Sequence, residues 1–187
     1  MIRNVLAAIG LIVHLSTPAA ACGISSEELK ISLIGDWQVS NGFGTLSFNG
    51  RTMPLPSGNS TSAKIVPTEN GLAVTGGAAP GTYDMDFIED ARFVLDAPSQ
   101  TILDQGEAWF GEHPEIITDE ELAIVAGCGT GQMLPQLQVS GTFEDAEGQV
   151  DFEVYLFVLD QATMYGIMSG NLLSMGGTAK RVTRWTR

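Results

Sequence analysis

Three Asn-Gly pairs, at 41–42, 49–50 and 70–71, each lie between short runs suited to extended structure. Asn-Gly is the strongest short-range signal for a two-residue type I′ hairpin, because both central residues need positive φ. Few features restrict a chain more: the turn fixes register, and register fixes which side chains meet. Pairing across Asn41-Gly42 sets Val39 opposite Gly44, Trp37 opposite Leu46 and Gly35 opposite Phe48. The apolar members then share one face, and Asp36, Gln38, Thr45 and Ser47 share the other. Continuing across Asn49-Gly50 brings Met53 opposite Leu46 and Leu55 opposite Gly44, on the same inner face. Turn chemistry and alternation agree, and together they predict a β-meander over residues 35–55.

The third pair joins Ile65-Val66-Pro67 to Leu72-Ala73-Val74. Pro67 cannot donate a ladder hydrogen bond, which predicts an edge or a bulge there. Further on, Leu137, Val139, Gly141 and Phe143 alternate with Gln138, Ser140 and Thr142. Residues 144–148 make a turn, and Val150, Phe152, Val154, Leu156 and Val158 return. Past Tyr155 both faces are apolar, as in a strand covered on both sides. Residues 164–173 and 178–185 complete the pattern. Two helices interrupt it. One opens at Ser26-Glu27-Glu28 and carries Leu29, Leu33 and Ile34; the other spans residues 118–126, with capping-box spacing from Thr118 to Glu121. The expectation is a mainly-β antiparallel barrel or strongly curved sheet with two short helices.

Residues 1–21 read as a secretory signal: a positive start at Arg3, an apolar stretch over residues 5–15, and small residues up to Ala21. Residues 22–187 then form a single domain working in the periplasm or outside the cell. Arg3 is the only charge in the leader, so the remainder carries 8 basic and 22 acidic groups, a formal charge of −14. No basic stripe is present to displace counterions from phosphates, which excludes nucleic acid and disfavours an anionic membrane surface. Lys180, Arg181, Arg184 and Arg187 crowd the last eight positions, where a terminal strand beside acidic neighbours would relieve repulsion. Cys22 and Cys128 are an even pair in an exported chain and read as a disulfide. The competing reading makes Cys22 the lipidated first residue of a lipoprotein, the one route by which a membrane becomes a partner.

Little in the chain suits catalysis. Once the leader is gone His113 is the only histidine, and no Gly-x-Ser-x-Gly or His-Glu-x-x-His motif occurs. The run Gly127-Cys128-Gly129-Thr130-Gly131 closes a helix instead of opening one, so it reads as a helix stop and not a phosphate loop. Asp84, Asp86, Glu89 and Asp90 form the densest carboxylate group, but Asp84 and Asp86 alternate with Met85 and Phe87 as a solvated strand face does. Met164, Met168 and Met175 lack a nearby His or Cys, and read as core filler or as the lining of an apolar cavity. We therefore expect no metal, no cofactor and no enzyme activity. An enzyme built on Asp84, Asp86 or Glu89 is the third choice.

Gly35-Asp36-Trp37 follows a short helix and opens the first strand of the meander. It resembles the Gly-x-Trp start of lipocalins and related calycin barrels, in which an arginine near the last strand packs across that tryptophan. Arg184 or Arg181 stands near that place here, and a guanidinium over an indole gains cation–π energy while plugging the closed end. Residues 80–115 and 118–126 depart from the simple eight-strand pattern. The resemblance implies a small apolar or amphipathic ligand inside the barrel, with Trp37, Leu46, Met53, Phe152 and Met168 against it and Arg184 in a structural role. The alternative is an accessory interaction subunit of a cell-envelope complex, recognised through its acidic surface.

Overall fold

The computed structural model describes residues 21–77, 79–91, 126–128, 134–146 and 148–187. Among these residues nine strands pair antiparallel: β1 (Gly35–Phe48), β2 (Arg51–Leu55), β3 (Thr61–Thr68), β4 (Gly71–Gly76), β5 (Thr82–Ala91), β6 (Leu134–Asp145), β7 (Gly148–Asp160), β8 (Thr163–Leu172) and β9 (Gly177–Thr186). The order across the sheet is β2-β1-β3-β4-β5-β6-β7-β8-β9, and β1 also pairs with β9. Eight strands thereby close into a barrel, with β2 as an extra strand along the far half of β1. Closure satisfies backbone groups that an open sheet would leave at its edges. Helix α1 (Ser26–Leu33) and a 3-10 turn over Ala21–Gly23 precede the barrel. The helix expected over residues 118–126 and the leader both lie outside the described residues, save Ala126 and Ala21 at their ends.

The Asn49-Gly50 hairpin forms with the expected register, Leu46 opposite Met53 and Gly44 opposite Leu55. Both turn residues have positive φ, 50° and 71°, as the type I′ geometry demands. Asn41-Gly42 is different, and the expected hairpin there is absent. Asn41 has no positive φ, and β1 runs straight through. Trp37 faces Ala63 of β3 in place of Leu46, and Val39 faces both Thr61 and Trp185. The pair instead opens a β-bulge: Asn41 is opposite Thr183 and Gly44 opposite Arg181, one extra residue on β1. A Cβ on Gly44 would collide with the Lys180 carbonyl and with Arg181, so only glycine lets β1 and β9 approach there. The third turn also shifts by one residue. Thr68 pairs with Gly71, leaving Glu69 and Asn70 as the turn. Pro67 lies on a strand paired on both sides, not at the barrel's edge. The β1 partner ends at Gly35 opposite Ile65, however, so the missing N–H of Pro67 costs nothing on that side.

The bulge has a packing consequence. Val39 joins the interior cluster with Trp37, Ile65, Leu137, Val139, Leu156 and Trp185, whereas Phe43 reaches the outside. Outside, Phe43, Leu134, Phe157, Leu159, Tyr165 and Val182 form a second buried cluster against which Cys22 and Cys128 pack. This explains the two-sided apolar pattern past Tyr155: Leu156 and Val158 point in, Phe157 and Leu159 point out, and all four are buried. The Cys22–Cys128 disulfide is formed and pins chain over that outer patch. Its sulfur atoms are thus committed to each other, and Cys22 keeps no thiol for a lipid. Directly across the ladders, the basic residues of β9 are opposite uncharged ones. Their register partners are Thr45 and Ser169 for Lys180, Gly44 and Met168 for Arg181, and Ser40 and Tyr165 for Arg184.

Candidate functional site

One end of the barrel is sealed. Ser25 caps α1, its hydroxyl accepting the Glu28 N–H at 3.3 Å while its own N–H reaches the Glu28 carboxylate at 3.2 Å. Those contacts hold the Glu28 carboxyl below its ordinary pKa, the bond from the Ser25 hydroxyl acting most. The helix presents Leu29 and Leu33, both wholly buried, to the barrel end. Trp37 is buried just inside and donates its indole N–H to the Leu33 carbonyl at 2.9 Å. The cation over the indole is Arg187, its guanidinium carbon 4.6 Å from the ring centroid, with Nη2 donating to the Ile34 carbonyl at 2.7 Å. Arg184 and Arg181 do not fill that position. Successive strand residues alternate faces, so Arg184 points away from the side that carries Trp185. Arg187, beyond the end of β9, is free to fold back over Trp37.

Toward the other end lies a cavity of about 260 Å³. Its walls are chiefly Val39, Val74, Val139, Val154, Phe152 and Trp185. Leu55, Gly77 and Ala79 reach it from the chain segments at the rim. Tyr83 stands edge-on to Phe152, centroids 4.8 Å apart, and lies over Gly141, where any side chain would displace it. The Tyr83 hydroxyl donates to the Pro80 carbonyl at 2.7 Å, which fixes the ring in the wall.

Of the residues expected at a ligand, Phe152 and Met168 line this cavity and Trp37, Leu46 and Met53 do not. Trp37 belongs to the sealed end. Met53, expected on the inner face, is 49% exposed, because β2 is an extra strand paired with β1 alone and stands outside the closed eight-strand barrel. Two polar residues were not singled out as ligand contacts. Arg181 and Asn41 both line the cavity. A period-two count back from Trp185 through Thr183 places Arg181 on the inner face, and a count forward from Trp37 through Val39 does the same for Asn41.

The Arg181 guanidinium makes a 3.3 Å bond to the Pro56 carbonyl and forms no ion pair among the described residues. Burial lowers its pKa from the ordinary value. Asn41 is 8% exposed, and its Oδ1 is buried without a hydrogen-bond partner. Its Nδ2 reaches the Asn59 carbonyl at 3.4 Å, and its backbone carbonyl accepts the Gly58 N–H at 2.8 Å. A Cβ built on Gly58 would stand 2.7 Å from Arg181 Nη1 and 3.5 Å from Asn41 Cβ, so the two side chains flank one spot beside Gly58.

On the outside, Asp84, Asp86 and Glu153 border a depression of about 320 Å³ with Gln138, Ser140 and Tyr155. Asp84, Asp86 and Glu89 are exposed and alternate with inward Met85 and Phe87, as the sequence pattern required. Among the described residues no three His, Cys, Asp or Glu side chains gather closely enough to hold a metal ion. No described helix is long and apolar enough to cross a membrane. His113 lies outside the described residues. In comparisons with known proteins, no family model, curated protein or solved structure matches the chain.

Proposed function

We propose that the protein is an exported, non-enzymatic binding protein that holds a small apolar or amphipathic molecule inside a lipocalin-like barrel. The observation that carries this reading is the roughly 260 Å³ apolar cavity within a barrel whose far end is packed solid by Trp37 and α1. Ligand sites of this kind are concave, mostly apolar and supplied with a few placed polar groups, here Arg181 and Asn41. The disulfide supports an oxidising compartment outside the cytoplasm, in keeping with the leader-like residues 1–21.

Displacement of N-phenyl-1-naphthylamine, read by fluorescence, tests the cavity directly. Gly170 lines it, and a Cβ there meets nothing closer than 3.6 Å, so Gly170→Leu fills the space without a backbone clash. The wild type should bind the dye, and Gly170→Leu should lose it with its melting temperature held. Dye binding unchanged by that variant removes the reading.

A second reading, an accessory subunit of a cell-envelope complex, is favoured by the outer carboxylates around Asp84, Asp86 and Glu153. It calls for a basic partner segment and for salt-sensitive association. Co-purification from envelope extracts that Asp84→Asn with Asp86→Asn abolishes would support it.

A further inference from the structure

We propose that the ligand is an amphiphile whose head carries an oxyanion with a hydroxyl a few bonds away, the oxyanion taken by Arg181 and the hydroxyl by Asn41. This rests on the reading of the barrel as a binding protein and names the class of molecule the same cavity would take. Arg181 is a guanidinium on a cavity wall, with one carbonyl contact and no carboxylate among the described residues. An arginine so placed satisfies its remaining donors best with a compact oxyanion, which it can meet with two parallel bonds. Asn41 supplies the complementary group. Its buried Oδ1 lacks a donor, and an unmet buried acceptor is costly enough that a ligand hydroxyl offsets it. The amide is lightly held, by a 3.4 Å contact from Nδ2, so turning the oxygen toward the cavity costs little. Arg181 and Asn41 flank the same spot beside Gly58, which sets hydroxyl and oxyanion close together on the ligand. The remaining walls are apolar. The cavity of about 260 Å³ suits a hydrocarbon tail of medium length.

Calorimetric titration of the purified protein with decanoate, 3-hydroxydecanoate and the methyl ester of 3-hydroxydecanoate separates the two contacts. The hydroxy acid should bind about fivefold tighter than decanoate, the worth of one buried hydrogen bond. It should exceed its neutral ester by about tenfold or more, the worth of a charge-assisted one. Asn41→Ala should erase the first difference only, and Arg181→Met the second only. Equal binding of all three by the wild type overturns the inference while leaving the apolar cavity in use. Absence of binding by all three together with absence of dye binding overturns the proposed function as well. The wild-type comparison decides the matter even if a variant fails to fold.

Discussion

Arg187 shows how one side chain joins three parts of the molecule. It stacks on Trp37, donates to the turn after α1 at Ile34, and has its backbone N–H bonded to the Ala162 carbonyl. Burial lowers its pKa, and Asp36 opposes that shift by favouring the charged form. The last described residue thus fixes the first strand. Arg187→Met keeps the length of the side chain and removes the charge. It should cost about 1–2 kcal/mol by urea denaturation, from the lost cation–π contact and one hydrogen bond. Acrylamide should then quench the indole fluorescence more readily than in the wild type. Unchanged quenching together with an unchanged midpoint would show that Arg187 does not shield Trp37. Trp37→Ala removes the plug outright and should cost about 3–5 kcal/mol.

The strands and the helix depend on a few local devices. Gly44 lets β1 pass close to β9 at the bulge, and its φ is not in the left-handed region, so contact and not backbone strain demands glycine. Gly44→Ala should cost about 3 kcal/mol, as overpacking against backbone does. A melting temperature within a degree of the wild type would contradict the close approach. Helix α1 rests on its capping box. Ser25→Ala should destabilise by about 1 kcal/mol near neutral pH. The carboxyl of Glu28 is depressed in the folded chain, so its contribution is present above the unfolded pKa of a glutamate and lost as pH falls through the folded value. The gap between wild type and Ser25→Ala should therefore shrink in melts taken below about pH 4. A constant gap down to pH 2 would mean that the carboxylate takes no part in the cap.

For the molecule as a whole, the disulfide ties residues 106 apart in sequence across the outer apolar cluster. In the chain-entropy account a loop of this length is worth about 4–5 kcal/mol, since the unlinked unfolded chain has far more freedom. Cys22→Ser with Cys128→Ser should lower the denaturant midpoint accordingly. It should also expose tyrosine and phenylalanine of the outer cluster, read as near-ultraviolet circular dichroism. The interior cavity lies on the other side of the sheet, so dye affinity should hold wherever the double variant remains folded. Loss of affinity in a folded double variant would show that the two faces are coupled.

Much of this architecture is legible in the residues. Alternation in 137–143 and 150–158, the turns at Asn49-Gly50 and 144–148, the helix opening at Ser26-Glu27-Glu28 and the even cysteine pair lead to β6, β7, the first hairpin, α1 and the disulfide, because each is set by neighbours a few positions away or by a simple count. Asn41-Gly42 carries the same local signal as Asn49-Gly50 yet becomes a bulge, since β1 bonded to β9 and β3 at once satisfies more backbone than a short hairpin would. The same long-range choice decides the rest. Which arginine covers Trp37, whether Met53 faces the interior or solvent, and how Arg181 comes beside Asn41 all follow from where distant strands meet when the sheet closes. No spacing along the chain encodes that closure, because the bulge shifts register and register reassigns every side chain after it.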